Sequence, residues 1–298
     1  HVISHGGKIY ATVEAGAAPV EVDGELMPTG NDAFNGTLTS GFSAHAKLDK
    51  ENGELHALCY QFPRGSYQVD HVVVGQDGHV QKTQSIDLPS QTMLHECAIT
   101  NNYVLVFDLS VTFSLFKLVR GYFPFSWNDK HQARIGLLPR KAGEETVQWF
   151  DIDPCYLFHT FNAFEDDNGN VVVDAMRYQR LFDEDWNGPF TESPPMLARW
   201  NLDVTTGRST ETQIDDLPGE FPRIHPDLDG KDFRFGYCLG TGSMSAPDFG
   251  RIIKYDFAGD SREVYELPVG EAGAEPIFIP SSNAQSEDEG YLMSLVYD

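Results

Sequence analysis

Along this chain, short runs of apolar and β-branched residues alternate with clusters of turn formers, a pattern that predicts strands rather than helices. The runs read as strands are Lys8 to Val13, Glu54 to Phe62, Gln68 to Val74, Tyr103 to Leu109, Arg134 to Pro139, Val147 to Asp151, Asn170 to Arg177, Met196 to Leu202, Phe233 to Cys238, Arg251 to Phe257 and Tyr291 to Tyr297. Between them stand Gly6-Gly7, Asn52-Gly53, Asp77-Gly78, Asn168-Gly169 and Asp288 to Gly290, so hairpins are the simplest connection. Three stretches, 47–53, 201–207 and 254–259, are the clearest instances of one grammar, in which a polar residue pair and a glycine lead into a strand, a Leu-Asp or Phe-Asp follows, and the next strand begins. That spacing is expected of propeller blades, with a β-sandwich as the alternative. Strands do not alternate with helices, and no long Ser/Gly/Pro linker divides the sequence. One all-β domain over residues 1–298 is therefore expected, cut at both ends, since it starts at His1 and stops just after the run 291–297.

Composition narrows the picture. The 27 glycines and 17 prolines suit many short strands. With 41% hydrophobic and 22% charged residues, the chain can bury one large core or two modest ones. A formal charge of -24 argues against a nucleic-acid partner, because a phosphate backbone is held by basic side chains. Cys59, Cys97, Cys155 and Cys238 lie far apart with no C-x-x-C pair, so a reducing, cytoplasmic setting is the default. Neither an export signal nor an 18-residue apolar run is present. Nucleotide-binding glycine loops, the G-x-S-x-G elbow and H-E-x-x-H are missing too.

One stretch departs from the strand pattern. Residues 109–127, LSVTFSLFKLVRGYFPFSW, are crowded with aromatic side chains and carry only Lys117 and Arg120 as charges. They read either as core packing with a helical turn, or as an apolar tunnel or membrane-contacting patch.

Of ten histidines, three have distinctive neighbours: His45 in GFSAHAK, His95 in MLHECA and His159 in LFHTFNA. Each sits beside a predicted strand, and they are 50 and then 64 positions apart, as ligands drawn from different blades would be. A buried histidine bonded to a backbone carbonyl is the bland reading of any one of them.

These segments resemble the carotenoid cleavage oxygenase superfamily, which includes apocarotenoid and stilbene-cleaving dioxygenases and the retinoid isomerase of the eye. FSAHAKLDKENGELHALCY is similar to the F-x-A-H-P-K segment with its following D-x-x-x-G-E-L, MLHECAITNNYVLVFD to M-x-H-D-F-x-x-T-x-x-Y, and FHTFNAFED to F-H-x-x-N-A-x-E. Ala46 replaces a proline, and Glu96-Cys97 replaces Asp-Phe. The resemblance implies a seven-bladed β-propeller in the whole protein, incomplete here, with Fe(II) held by four histidines, three of them His45, His95 and His159. The fourth family ligand lies near the full-length C-terminus in a Phe-His-Gly setting. This sequence has no histidine after His225, and His225, in RIHP, belongs to a different motif. A chain with three of the four imidazoles is expected to hold iron less well than one with four, and to be inactive alone.

Three glutamates extend the resemblance to the groups behind the ligands: Glu14 in ATVEAG, Glu220 in GEFPR and Glu275 in AEPIFIP. A ligating imidazole gives one nitrogen to the metal and its other N–H to a carboxylate, which fixes ring and tautomer. The implied reaction is cleavage of a conjugated carbon–carbon double bond by O2 to two carbonyl products. Phe113, Phe116, Phe123, Phe125 and Trp127 are then expected to wall the substrate tunnel. Carotenoids or apocarotenoids fit the aromatic stretch. Stilbene cleavers carry a lysine where this chain has Val13, with Lys8 five residues earlier. A metal-free propeller acting as a binding module is the third reading. Contact with a membrane would come through the apolar stretch rather than through charge.

Overall fold

The computed structural model describes residues 1–298 apart from 15, 31–32, 61–66, 142, 144–145, 190–191 and 243–248. Two compact units divide the chain, residues 1–108 with 136–148, and residues 109–135 with 149–298.

In the first unit, one meander runs Val2–His5, Lys8–Ala11, Val20–Val22, Pro28–Gly30, and a second runs Lys47–Asp49, Glu54–Tyr60, Gln68–Val74, Val80–Asp87. Their core is Tyr10, Phe34, Phe42, Leu55, Ala57, Cys59, Val72 and Val74. The Gly6-Gly7 and Asp77-Gly78 turns meet: a Cβ on Gly6, whose φ is +56°, would lie 2.6 Å from the Gly78 Cα, so only glycine fits. In the second unit the meanders are Tyr156–Glu165, Val171–Tyr178, Met196–Asp203, Arg208–Gln213, and Gly219–Ile224, Phe235–Gly240, Arg251–Asp256, Ser261–Glu266. Phe161, Met176, Leu197, Ile224, Cys238 and Ile253 pack within it. A further sheet has the order Gln148–Asp151, Arg134–Pro139, Tyr103–Asp108, Ala98–Ile99. The described residues thus hold five four-stranded sheets, four of them simple meanders, and three two-stranded ones.

The aspartates common to those three stretches, Asp49, Asp203 and Asp256, have one physical role. Asp49 Oδ1 accepts from Glu51 N at 2.8 Å, Asp203 Oδ1 from Thr205 N and Thr206 N at 3.0 and 2.9 Å, and Asp256 Oδ1 from Gly259 N at 2.9 Å. Each aspartate ends its strand by taking the turn's amides.

Predicted and observed strands agree best inside the sheets. Gln68–Val74 and Arg134–Pro139 coincide, while the predicted run ending at Phe62 reaches beyond the described residues and is seen as Glu54–Tyr60. The run 291–297 is split into Gly290–Met293 and Val296–Tyr297. Outer strands such as Arg208–Gln213 and Ser261–Glu266, polar and exposed, were not expected. In the aromatic stretch, Val111–Phe113 pairs with Phe125–Trp127, and the short helix Leu115–Val119 lies between them.

A polar chain is buried in the first unit. Arg140 pairs with Asp49 and donates Nη2–H to His56 Nε2 at 3.2 Å, so His56 Nδ1–H donates to His71 Nε2 at 3.1 Å. Burial first, then the Arg140 charge, holds His56 at about 3, and burial, then His56, holds His71 at about 3. Unfolding frees both imidazoles to take protons near the ordinary 6.5, so the unfolded state binds more protons between those values. Stability is accordingly expected to fall as pH drops from about 7 to about 5, and His71→Gln to flatten that fall. Urea midpoints across this range check it; equal slopes for both proteins would contradict the buried neutral pair.

Candidate metal centre

The first unit contributes two imidazoles from outside its strands. His45 lies two residues before Lys47–Asp49 and His95 three before Ala98–Ile99, and coil there lets each ring leave the ladder's alternation. Ser43 Oγ accepts from His45 N at 3.1 Å, and the His45 and His95 ring centroids are 4.4 Å apart. Glu14 Oε1 stands 3.4 Å from His45 Nε2. Unexpectedly, His1 also sits edge-on to His45, at 4.5 Å between centroids.

The sequence's departures from the family pattern acquire a role here. Lys47 Nζ and Glu96 Oε1 form a 2.6 Å ion pair whose side chains are 12% and 5% exposed, joining the segment after His45 to the residue after His95. The Cys97 thiol reaches the His45 carbonyl at 3.9 Å.

In the second unit, His159 is re-aimed by a bulge. Its strand pairs Leu157 with Arg177 and next Thr160 with Ala175, so Phe158 and His159 together oppose Met176. Glu220 faces it from another irregular strand: the ladder skips between Glu220 and Arg223, and Phe221 has φ +56°. His159 Nδ1–H donates to Glu220 Oε2 at 2.7 Å, which leaves Nε2 as the ring's lone-pair donor. The same oxygen accepts from Phe221 N at 2.6 Å, and Oε1 from the Tyr178 hydroxyl at 3.0 Å. Asn162 of the same motif clamps the loop below, giving Nδ2–H to the Leu228 and Lys231 carbonyls and taking Gly230 N–H.

One nitrogen from each of His45, His95 and His159 lies within 4.8 Å of the other two, a candidate metal-binding group. Neutral nitrogen donors suit Fe(II), Zn(II), Ni(II) or Cu(II) and not the oxygen-seeking Ca(II) or Mg(II). Glu275 Oε1 pairs with the Arg223 guanidinium at 2.6 Å. His225 serves a turn, Nδ1 accepting from Asp227 N, and its ring lies against Phe278. Of the expected tunnel residues, Phe125 and Trp127 are buried, Phe113 is half-buried, and Phe116 and Phe123 are exposed.

Four-stranded β-meanders with a histidine-built group define the class: an all-β propeller, present here as five blades, with a candidate metal site. The sequence profile of the retinal pigment epithelial membrane protein family matches residues 1–298, and the chain belongs to that family of carotenoid oxygenases. A carotenoid cleavage oxygenase of Mycobacterium tuberculosis is 35% identical over 98% of this chain and 68% of its own length. Cobalt-substituted Synechocystis ACO, an apocarotenoid oxygenase, superposes with a TM-score of 0.86 at 23% identity, over 99% of this chain and 65% of that one. Pseudomonas brassicacearum lignostilbene dioxygenase does so with 0.86 at 26% identity, over 99% and 66%. The chain thus spans about two thirds of the length of each of these three. Kinship to oxygenases and the three-histidine group mark it as an enzyme's chain.

Replacing Glu96 by Ala takes the 2.6 Å carboxylate away from the mostly covered Lys47 ammonium. It is expected to cost about 3–5 kcal/mol, with much of that restored by Lys47→Met alongside Glu96→Leu. Denaturant unfolding of the single and double variants measures it; a single variant as stable as the parent would remove the ion pair from the account.

Proposed function

We propose that this chain carries the iron-binding part of a non-haem Fe(II) dioxygenase that cleaves a conjugated double bond of a carotenoid or apocarotenoid with O2 to two carbonyl products. The observation that carries this reading is the approach of three imidazole nitrogens to within 4.8 Å, one of them with its tautomer set by a buried carboxylate. His45, His95 and His159 would hold the metal, and Glu14, Glu220 and Glu275 would stand behind ligand imidazoles to orient them. Ferrous iron, when bound, supplies the electron chemistry that O2 addition to an alkene requires. The chain's own residues orient the imidazoles and exclude water, and Phe125 and Trp127 offer buried aromatic surface to the greasy substrate. No side chain is asked to act as base or nucleophile.

Stilbene cleavage is the competing reading, favoured by the likeness to a lignostilbene dioxygenase. Against it, Val13 is exposed where stilbene cleavers have lysine, and Lys8 Nζ is engaged by Glu21 at 2.8 Å.

Contact with a membrane is supported by the inverted polarity of the helix Leu115–Val119. Leu115, Phe116, Leu118, Val119, Tyr122 and Phe123 are exposed, while Lys117 is buried and donates to the Phe125 and Phe182 carbonyls at 3.0 and 2.7 Å. A net charge of -24 favours uncharged lipid over an anionic surface. No helix among the described residues is long and apolar enough to cross a membrane. The four described cysteines are free and buried, which supports a cytoplasmic setting.

Anaerobic reconstitution with Fe(II) is expected to load the protein, His95→Ala to lose most of that iron, and exposed His79→Ala to keep it. In the whole protein, with its full ligand set, chelation should abolish turnover, and product analysis with a carotenoid, an apocarotenal and a hydroxystilbene identifies the substrate class; full iron in His95→Ala of this chain would defeat the reading. Flotation with phosphatidylcholine vesicles is expected to carry the protein upward, and Phe116→Asp with Val119→Asp to leave it at the bottom. Equal flotation would remove this surface from consideration.

A further inference from the structure

We propose that Tyr178, which lies in none of the recognised motifs, is a positioning residue of the metal centre: its hydroxyl locks the Glu220 carboxylate in the orientation that fixes the His159 ring. The inference rests on the reading of His159 as a metal ligand.

Glu220 is 2% exposed, and three donors meet its two oxygens. His159 Nδ1–H and Phe221 N–H both converge on Oε2, and the Tyr178 hydroxyl is the donor to Oε1, at 3.0 Å. With both donors on one oxygen, the carboxylate plane could turn about its Cγ–Cδ bond. The phenol on the other oxygen prevents that rotation. Removing it would leave a buried acceptor without its donor and free the carboxylate to turn away from the orientation that holds the ring.

The fold holds the phenol firmly. Tyr178 closes the strand Val171–Tyr178, which is hydrogen-bonded to the strand bearing His159, with Tyr156 opposite Tyr178. It is 1% exposed and meets the Phe158 ring edge-on at 5.5 Å, and Phe158 is the other residue of the bulge that turns His159. One packed unit therefore sets the imidazole and the phenol, while the bulge at Phe221 brings the carboxylate between them. Burial, and after it the Glu220 charge, push the phenol well above its ordinary range, so it remains a donor. A hydroxyl that merely filled space would leave the His159 tautomer unchanged when removed.

The test follows ring 15N resonances of the metal-free protein, together with Co(II) titration. The parent is expected to show His159 as the Nδ1–H tautomer. Tyr178→Phe keeps the ring and is expected to move His159 toward a mixture of tautomers and to weaken Co(II) binding about ten-fold. Unchanged His56 and His71 resonances report an intact fold. Glu220→Gln should disturb the same His159 signals, and adding Tyr178→Phe to it should change nothing further. Parent-like His159 resonances and Co(II) affinity in Tyr178→Phe would overturn the proposal. Equal Co(II) binding by the parent and His159→Ala would instead overturn the metal reading, a result distinct from the tautomer measurement.

Discussion

A regular β-ladder sends side chains alternately to its two faces, whereas a metal needs several imidazole lone pairs aimed at one point. The candidate centre depends on how this protein breaks that alternation. His45 and His95 stand in coil just before strands, and His159 stands in a bulge. Glu220, which holds the His159 tautomer, comes from a second bulge in which Phe221 adopts positive φ. Such a conformation is costly for a bulky residue, and here it places one more amide on the carboxylate.

Regular structure supplies the support for these irregular points. Tyr178 and His159 share a sheet, so the hydroxyl on one oxygen of Glu220 and the imidazole on the other are held by one set of strands. In the first unit, the Lys47–Glu96 pair and the Cys97 thiol tie together the segments that bear His45 and His95. A buried ion pair contributes little net stability but penalises any separation of its partners. That is a useful property where two ligands must keep a fixed distance.

Much of this was legible in the sequence, for reasons that differ by residue. Inner strands such as Gln68–Val74 are apolar and bounded by turn formers, so they are visible in one dimension; Ser261–Glu266 is exposed throughout and resembles loop. The three histidines stood out through motifs, but the Glu220 to Tyr178 contact spans 42 positions and follows no spacing rule. Lys117 defied its composition: a lysine is expected at the surface, yet two carbonyls draw it inward and leave apolar neighbours outside. Glu96 and Cys97 read as departures from a pattern, and only their partners reveal that they brace the site.

The central claim is that His45, His95 and His159 share one metal ion. X-ray absorption on the Co(II)-loaded protein tests it most directly. The account predicts nitrogen neighbours near about 2.1 Å with the outer-shell scattering of imidazole, and loss of one ring's contribution in each single His→Ala variant. A shell of oxygens alone, or a spectrum indifferent to all three substitutions, would contradict it.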